Sequence, residues 1–320
     1  MKMKKQLKAL IPLLLLATAP STLSALDDGP RMYWNGPVDL NIIQTYAWSM
    51  HGNQITPTGS NFDPHTSADM NLVLLGYNRI VNIAGHSTIL TAMITAGNIS
   101  GDISTIAGGV PKSISQSARG YGDLYVQGTF NIFGAPALSA EQFATYKQGS
   151  VLSLIVGLSI PTGRYDNKSA LNMGTNQWAG KIALPFMQTI GAWEPGSITT
   201  FEITPAVWFY GDNSNYSLES QTLQKDPLYS VEAHLTQDIT PTFFVSLDYM
   251  YQNGGAGSAA AKGIAAEVDA PKVNSDTAGL TFAYMMNEQL QMQFRYQASL
   301  NPSKDELSAD VTELNFNYFF

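Results

Sequence analysis

Large apolar side chains alternate with polar ones along several segments of the chain. In the segment 289–299, Leu290, Met292, Phe294 and Tyr296 alternate with glutamines and an arginine. A period of two places alternate side chains on opposite faces of a β-strand, whereas on a helix it would spread apolar groups around the whole circumference. The alternation therefore predicts strands.

Twelve segments keep this rhythm well enough to be interpreted as strands. The pattern is weakest in the first three, because neither face of the third is clearly polar and a shift of one residue would exchange the two faces. The predicted strands are 38–48, 70–80, 87–96, 122–133, 151–160, 180–190, 198–210, 228–237, 242–252, 276–286, 289–299 and 310–320.

The connections between these strands are alternately long and short. Outer-membrane barrels show this alternation because their periplasmic turns are tight and their outer loops are long. The exception is the stretch 134–150, which falls on the short-turn side and is not short. We predict an all-β fold, a transmembrane antiparallel up-and-down β-barrel of 12 strands, with a two-domain β-sandwich as the alternative.

The last strand has the same alternation and ends on an aromatic residue. Leu314, Phe316, Tyr318 and Phe320 are expected to face lipid, while Glu313, Asn315 and Asn317 face the lumen. This strand must pair with the first to remove the open edge of the sheet. Phe316, Tyr318 and Phe320 resemble the C-terminal signal that the barrel assembly machinery of the outer membrane recognises.

The N-terminus has the layout of a secretory signal peptide. Lysines at positions 2, 4, 5 and 8 precede an apolar run, 9–19, and a stretch of small polar residues. The run is too short to span a membrane as a helix. We predict cleavage after Ala25, which leaves residues 26–320 as the barrel domain. A buried N-terminal helix is the alternative.

Composition and charge narrow the function classes. Charged residues make up only 13% of the chain, about half the usual share for a soluble protein. Loss of the four signal-peptide lysines changes the formal net charge from −8 to −12, which argues against nucleic acid as a partner. With no cysteine, neither a disulfide nor a thiolate metal site can form. Outside the signal peptide no run of 18 apolar residues occurs, so helical membrane spans are excluded.

The strand register assigns a set of side chains to the barrel lumen. Twelve strands lie between barrels filled by their own side chains and barrels with an aqueous channel, so a narrow lumen is expected. The charges could favour cations in an open pore, or they could pair across the barrel and plug it. The predicted lumen-facing charges are Asp39, Arg79, Asp123, Lys181, Glu202, Glu232, Asp248, Arg295 and Glu313, and the other lumen candidates are Tyr125, Ile155, Met187, Trp208, Phe244 and Met250.

Other aromatic residues are expected at the two membrane interfaces, where such barrels carry aromatic girdles. The segments 97–121 and 253–275 are rich in Gly, Ser and Ala, as mobile outer loops or folded-in constrictions would be. The predicted girdle residues are Tyr46, Trp48, Phe209, Tyr210, Tyr229, Tyr249, Tyr251, Tyr284 and Tyr318.

We find no pattern that predicts catalysis or a resident cofactor. The four histidines, at positions 51, 65, 86 and 234, lie in no nucleophile, zinc or phosphate-loop motif. His51 and His65 with Asp63 and Asp69 could form a loose metal site, but histidines at this spacing in loops are usually solvated. The prediction is a protein that is not an enzyme, with no catalytic, cofactor-binding or metal-binding residues.

Two segments resemble a known family of exported barrel proteins. "GYGDLYVQGTF" at 120–130 and "SLIVGLSIPTGRYD" at 153–166 resemble the family described as putative meta-pathway of phenol degradation, and "DPLYSVEAHLT" at 226–236 agrees with it. Where relatives often carry an acidic residue after the glycine, this chain has Arg164.

The resemblance implies a role for the barrel in the outer membrane of a Gram-negative bacterium. It implies a channel or transporter that passes small hydrophobic or aromatic solutes, with outer-membrane lipid around it. The alternative is a structural or adhesive barrel that acts through its extracellular loops.

Overall fold

The computed structural model describes residues 28–53, 66–107, 110–216, 222–260, 267–270, 272–300 and 307–320. These residues form strands and one short helix, α1. The strands are β1 (Asn41–Gly52), β2 (Thr66–Ile83), β3 (His86–Ala107), β4 (Val110–Tyr121), β5 (Leu124–Phe133), β6 (Ser150–Ile160), β7 (Ala179–Ala183), β8 (Phe186–Ile190), β9 (Thr199–Tyr210), β10 (Thr222–Lys225), β11 (Leu228–Thr240), β12 (Phe243–Gly254), β13 (Gly257–Ala260), β14 (Glu267–Ala270), β15 (Val273–Met285), β16 (Leu290–Ser299) and β17 (Ala309–Phe319), and α1 is Ala140–Phe143.

The strands close into an antiparallel barrel with 12 strand positions, as predicted. β4 and β5 occupy one position beside β3, and β7 and β8 occupy one position on either side of Leu184 and Pro185. The first and last strands pair from Ile42↔Phe319 to Gly52↔Ala309, so no edge is left between the two ends of the chain. Pairing of β9 with β11 completes the ring.

Side chains along the barrel strands alternate strictly between the interior and the outer surface. In β2, Leu72 and Leu74 are buried inside, while Val73, Leu75 and Tyr77 are exposed outside. The outward faces of the other barrel strands are likewise apolar, with aromatic residues near both ends of the strands: Phe209, Tyr229 and Tyr251 near one end, and Tyr284, Tyr318 and Phe320 near the other. This is the outer surface that lipid requires.

The two ends of the barrel differ in the length of their connections. At the end we call the turn end, Ala84 and Gly85 link β2 to β3 with positive φ angles, as a tight two-residue hairpin requires. At the opposite end, the loop end, the connections are long. The exceptional stretch 134–149 lies at the turn end and carries α1, whose Ser139 and Gln142 form a capping box. Its Phe143 is buried in a turn-end apolar cluster that also contains Trp34, Trp193 and Phe244.

The interpretation of 97–121 as an irregular loop was wrong. β3 and β4 continue as a hairpin from Ala96↔Tyr121 to Ala107↔Val110, beyond the neighbouring strand β5. In 253–275, β13 and β14 form a small sheet with β10 at the loop end. In both hairpins the backbone N–H and C=O groups are paired in β-ladders. The sequence did not predict these strands because their small polar side chains show no clear alternation with apolar ones. Within the described ranges no helix is long and apolar enough to span a membrane.

The apolar outer surface generates a prediction about lipid contact. Leu247 lies in the middle of β12 with its side chain 59% exposed, and Leu300 follows β16 at the loop end. Leu247→Arg should lower the free energy of unfolding in lipid vesicles by about 2–4 kcal/mol, because the charge would sit near the bilayer midplane. Leu300→Arg should cost less than about 1 kcal/mol. Denaturant titration of both variants measures the difference, and equal losses would argue against a lipid belt at Leu247.

Candidate functional site in the barrel interior

The interior of the barrel has two chemically different walls. The apolar wall consists of the apolar side chains that point inward from β1, β2 and β3, where a few buried polar side chains such as Gln44 and Thr95 lie among them. Its members are Tyr46, Trp48, Met50, Met70, Leu72, Leu74 and Met93. The polar wall consists of the inward side chains of β9, β11, β12, β15 and β16, with buried Thr, Ser, Gln, Glu, Asp, His and Arg residues. A closed barrel that is apolar on one side and polar on the other can hold amphiphilic contents.

A segment that precedes β1 lies inside the barrel. Residues 28–37, which we call the plug segment, are all buried. Their main chain bonds to carboxylates of the polar wall, because the amide N of Asp28 donates to Glu232 (2.8 Å) and that of Arg31 donates to Glu202 (2.8 Å). Arg31 adopts φ 61°, a left-handed conformation that a non-glycine residue holds only when its surroundings stabilise it.

Arg31 is the most heavily contacted side chain of the plug segment. Its guanidinium forms an ion pair with Asp238 (2.7 Å), and its Nε donates to Thr236 (3.0 Å). The guanidinium carbon also lies 4.2 Å from the ring centre of Trp34 and 3.9 Å from that of Phe244. A buried charge needs this degree of compensation, because desolvation otherwise outweighs its attraction to a partner.

A second group of contacts holds the start of the plug segment. The Asp28 carboxylate accepts from Lys181 Nζ (2.6 Å) and from the Tyr33 hydroxyl. Trp34 Nε1 donates to Glu202 (3.1 Å). At the other end of the segment, the amide N of Asn35 donates to Gln148 (2.7 Å) in the long turn-end stretch. The polar half of the lumen is therefore filled by the chain itself.

The polar wall also pairs its own charges. His234 Nδ1 lies 2.8 Å from Asp248, whose other oxygen accepts from Thr281 (2.6 Å). Arg295 contacts Glu313 (3.3 Å), which in turn accepts from Trp48 Nε1 (2.7 Å). The second contact joins the polar wall to the apolar wall.

Thirteen of the fifteen residues predicted to line the lumen have buried side chains; Asp39 and Arg79 do not. Lys181, Glu202 and Glu232 contact the plug segment, while Asp248, Arg295 and Glu313 lie in the pairs just described. Tyr125 and Trp208 lie together, with ring centres 6.0 Å apart. Asp123 lies apart from the others, at the loop end of β5.

Four further assignments were wrong. Arg79 and Asp39, predicted in the lumen, form an exposed ion pair (2.9 Å) near the turn end, because the polar side of β2 is its outer side there. Tyr46 and Trp48, predicted as girdle residues, are buried in the apolar wall. The error in each case comes from assuming that the lumen face is the polar one.

Asp123 anchors a connection that crosses the loop end. We call residues 161–178, between β6 and β7, the strap. The Asp123 carboxylate accepts from the amide N atoms of Gly163 (2.8 Å) and Thr175 (2.9 Å) and from the Thr175 hydroxyl (2.7 Å). Gly163 and Gly174 lie so close that a Cβ on either would stand within 2.8 Å of the other's backbone. Between these anchors, Leu171 and Met173 are fully buried and join the apolar wall.

The small loop-end sheet borders a cleft of about 360 Å³, lined by Gln224–Asp226 and Ala256–Ser258. Lys225 is half-buried there, with its ammonium 4.5 Å from the ring centre of Tyr210. Burial lowers the pKa of Lys225 to about 7. Within the residues that the structure places, no cluster of three or more His, Asp or Glu side chains could hold a metal ion. His51 lies 2.8 Å from Asp69, whereas Asp63 and His65 lie outside the described residues.

The sequence analysis predicted neither the plug segment inside the barrel nor the contacts that hold the strap across the loop end. The plug segment shows no periodicity, and its partners are up to about 200 positions away. The one available signal was the long stretch 134–150 on the short-turn side, since its Pro136 and Gln148 hold Asn35.

The Arg31–Asp238 pair yields a prediction about stability. Arg31→Met leaves a buried carboxylate without its counter-charge and should lower the free energy of unfolding by about 3–5 kcal/mol. Arg79→Met, which breaks the exposed pair with Asp39, should cost less than about 1 kcal/mol. The double variant Arg31→Met/Asp238→Leu should recover much of the first loss. Denaturant unfolding in detergent measures all three, and similar losses for the two single variants would contradict burial of the pair.

Lys225 yields a prediction about pH. Because burial depresses its pKa in the folded protein from 10.5 to about 7, the amine is mainly neutral above pH 7, and stability should rise between pH 7 and pH 10 as the unfolded chain still binds a proton. Reductive methylation attacks only the neutral amine, so its rate at Lys225 should have a midpoint near pH 7 in the native protein and a higher one in urea. Mass spectrometry of the Lys225 peptide measures both, and a native midpoint near 10.5 would refute the depressed pKa.

Comparison with solved structures supports the barrel architecture. An outer membrane channel from Pseudomonas putida F1 superposes with a TM-score of 0.68 at 17% identity, covering 92% of this chain and 100% of that one. The transport unit of the autotransporter AIDA-I from Escherichia coli gives a TM-score of 0.52 at 10% identity, covering 99% and 97%. At these identities the likeness shows the fold alone.

Comparison by sequence gives the family. No curated protein matches the chain. The profile of the family described as "Putative MetA-pathway of phenol degradation" matches residues 51–305, most of the chain. The match includes the strap and its Asp123 anchor, and the resemblance seen in 120–130 and 153–166 is confirmed. The chain belongs to this family.

Proposed function

We propose that the protein is an outer-membrane channel that passes small, predominantly apolar molecules through the barrel interior. It would reach the outer membrane after removal of residues 1–25 and insertion by the barrel assembly machinery, which would read Phe316, Tyr318 and Phe320. The fold of the Pseudomonas putida F1 channel and the family's link to phenol degradation support this choice.

The observation that carries the proposal is the apolar wall. Its methionine and aromatic side chains form a continuous buried surface from Met50 through Leu72 to Met93 inside a closed barrel. Interior positions of a barrel that conducts ions are expected to be polar and wet. Methionine is flexible and polarisable, so such a wall can adapt to apolar solutes of different shapes.

The polar half of the lumen is unsuited to be an open ion path. The plug segment fills it, and Lys181, Arg31 and Arg295 each contact an acidic partner. Ions moving through this space would have to displace buried ion pairs, at a cost of several kcal/mol for each. Met32 and Tyr33 of the plug segment also pack into the apolar cluster, so a solute route along the apolar wall would have to part these contacts. We favour such a route, which breaks only apolar contacts, over a cation-selective pore formed by the lumen charges.

The runner-up is a barrel that acts through its loop end, as a structural or adhesive protein. The β3–β4 hairpin, which projects beyond β5, favours it. The two functions differ in whether anything crosses the interior, so a transport measurement separates them.

The test uses refolded protein in vesicles whose outer leaflet is lipopolysaccharide, which slows apolar solutes. Entry of the dye N-phenyl-1-naphthylamine should be several-fold faster with the protein than without it, while potassium conductance in planar bilayers stays low. Met93→Gln, which places an amide in the apolar wall, should slow dye entry several-fold. The reverse exchange on the polar wall at the loop end of β12, Gln252→Met, should change it by less than about twofold.

Two outcomes would overturn the proposal. Steady ion current without faster dye entry would identify a hydrophilic pore. Neither current nor dye entry in a correctly folded sample would favour the loop-end function.

A further inference from the structure

Four of the fourteen buried side-chain polar atoms that form no hydrogen bond within the described residues lie at one height of the barrel interior. The register places Asn315, Tyr46, Leu74 and Thr95 side by side across β17, β1, β2 and β3. The Tyr46 hydroxyl and the Asn315 amide lie close enough to interact with each other but form no hydrogen bond of good geometry, and the Thr95 hydroxyl has no hydrogen-bond partner among the described residues. All three side chains are at most 1% exposed. We call Asn315, Tyr46 and Thr95 the neutral polar row.

Such groups call for an explanation, since buried polar atoms in proteins are nearly always hydrogen-bonded. The adjacent charged pair shows the contrast: Arg295 and Glu313 contact each other, and Glu313 also accepts from Trp48. The Tyr46 and Asn315 side chains point to the same interior space from neighbouring strands, about 5 Å apart at their Cβ atoms. Together they offer a donor and an acceptor to a third group.

The surroundings of the row are apolar on the side of β1–β3, whereas Gln293 lies beside Asn315 on the side of β16. The ring of Trp48 stands edge-on to Tyr46 with centres 5.9 Å apart, and Met70, Leu72 and Met93 belong to the same cluster. A ligand that satisfies the row would therefore have an apolar body and one neutral polar group, because a charged group would lose its hydration against this wall without gaining a counter-charge.

Side chains of the strap occupy this cluster. Leu171 and Met173 are fully buried within it, and they lie between the Asp123 anchors at Gly163 and Thr175. The strap also contacts β4 through Ala170, whose amide N donates to Gln116 (2.9 Å). Lifting Leu171 and Met173 would break bonds within the strap, such as those that Asn172 donates to the carbonyls of Asp166 (3.2 Å) and Ser169 (2.8 Å), while the Asp123 anchors stay in place.

We propose that the neutral polar row is a recognition site for solutes with an apolar body and one hydroxyl or carbonyl group, and that Leu171 and Met173 occupy the site until such a solute displaces them. The inference rests on the proposed function and adds a preference for one neutral polar group over a plain hydrocarbon. One hydrogen bond between neutral groups gives a preference of about fivefold.

The experiment compares three solutes with the same apolar body: 4-tert-butylcyclohexanol, 4-tert-butylcyclohexanone and tert-butylcyclohexane. The full chain is placed in lipid nanodiscs with ¹³C-labelled methionine methyl groups, and NMR shifts are followed against the mole fraction of solute in the lipid. Met70 and Met93 report on the site, whereas Met187 and Met285 in the turn-end cluster serve as internal controls.

In the wild type, half-saturation at Met70 and Met93 should occur at about fivefold lower mole fraction for the alcohol and ketone than for the hydrocarbon. Tyr46→Phe should reduce this ratio towards one. The matched control is Tyr125→Phe, another buried tyrosine, whose hydroxyl donates to Gln127 (2.7 Å); it should leave the ratio unchanged. The double variant Leu171→Ala/Met173→Ala should lower the half-saturation mole fraction of all three solutes by a similar factor.

Equal half-saturation for the three solutes in the wild type, or equal shifts at the control methionines, would overturn the inference. If Tyr46→Phe keeps the preference for the alcohol and ketone, the Tyr46 hydroxyl has no role in recognising the polar group. Failure of the proposed function is distinguishable: dye entry without a polar preference removes only the inference, whereas preferential binding without dye entry removes only the transport role.

Discussion

Closure of the sheet is the constraint on which the rest of the structure depends. In lipid no water is available for an open strand edge, so β17 must pair with β1 along its whole length. Closure at 12 strand positions encloses more space than wall side chains commonly fill, and less than a wide aqueous channel requires. The plug segment and the strap occupy that space. Because the filled interior excludes water, each described interior charge must lie against an opposite charge or a hydrogen-bond donor.

The strand pattern was predictable wherever the lumen face is polar. In β5, β12 and β16 the inward Gln127, Asp248 and Arg295 contrast with apolar outward neighbours, and the predicted strands there lie within two residues of the observed ones. In β1–β3 large apolar side chains occur on the inward face as well as on the outward one, with polar side chains on both, so the period of two fades although the strands are regular. That is why the register was uncertain there and why Tyr46, Trp48 and Arg79 were assigned to the wrong side.

Contacts between distant parts of the chain could not be predicted. The bonds from Asp28 to Glu232 and from Arg31 to Glu202 depend on the ring closing first, and no local pattern encodes them. Asp123 was assigned to the lumen from strand register alone. Asp123 lies in the family-like segment 120–130 and its partner Gly163 lies in the segment 153–166, so two motifs that are separate in the sequence form one anchor in the structure, which Thr175 completes. The unusual length of the turn-end stretch 134–149 was the one sequence feature related to the plug segment, because Gln148 in that stretch accepts a hydrogen bond from Asn35 of the plug segment.

The two elements that fill the lumen are held in different ways. The plug segment is bound by ion pairs and by backbone donors to buried carboxylates, and its Met32 and Tyr33 also lie in the apolar cluster. The strap is anchored at both ends by Asp123, and between the anchors Leu171 and Met173 cover the apolar wall with contacts of the kind that an apolar solute would also make. Under the proposed function, such a solute would compete with Leu171 and Met173, whereas it could not replace the ion pairs that hold the plug segment against the polar wall.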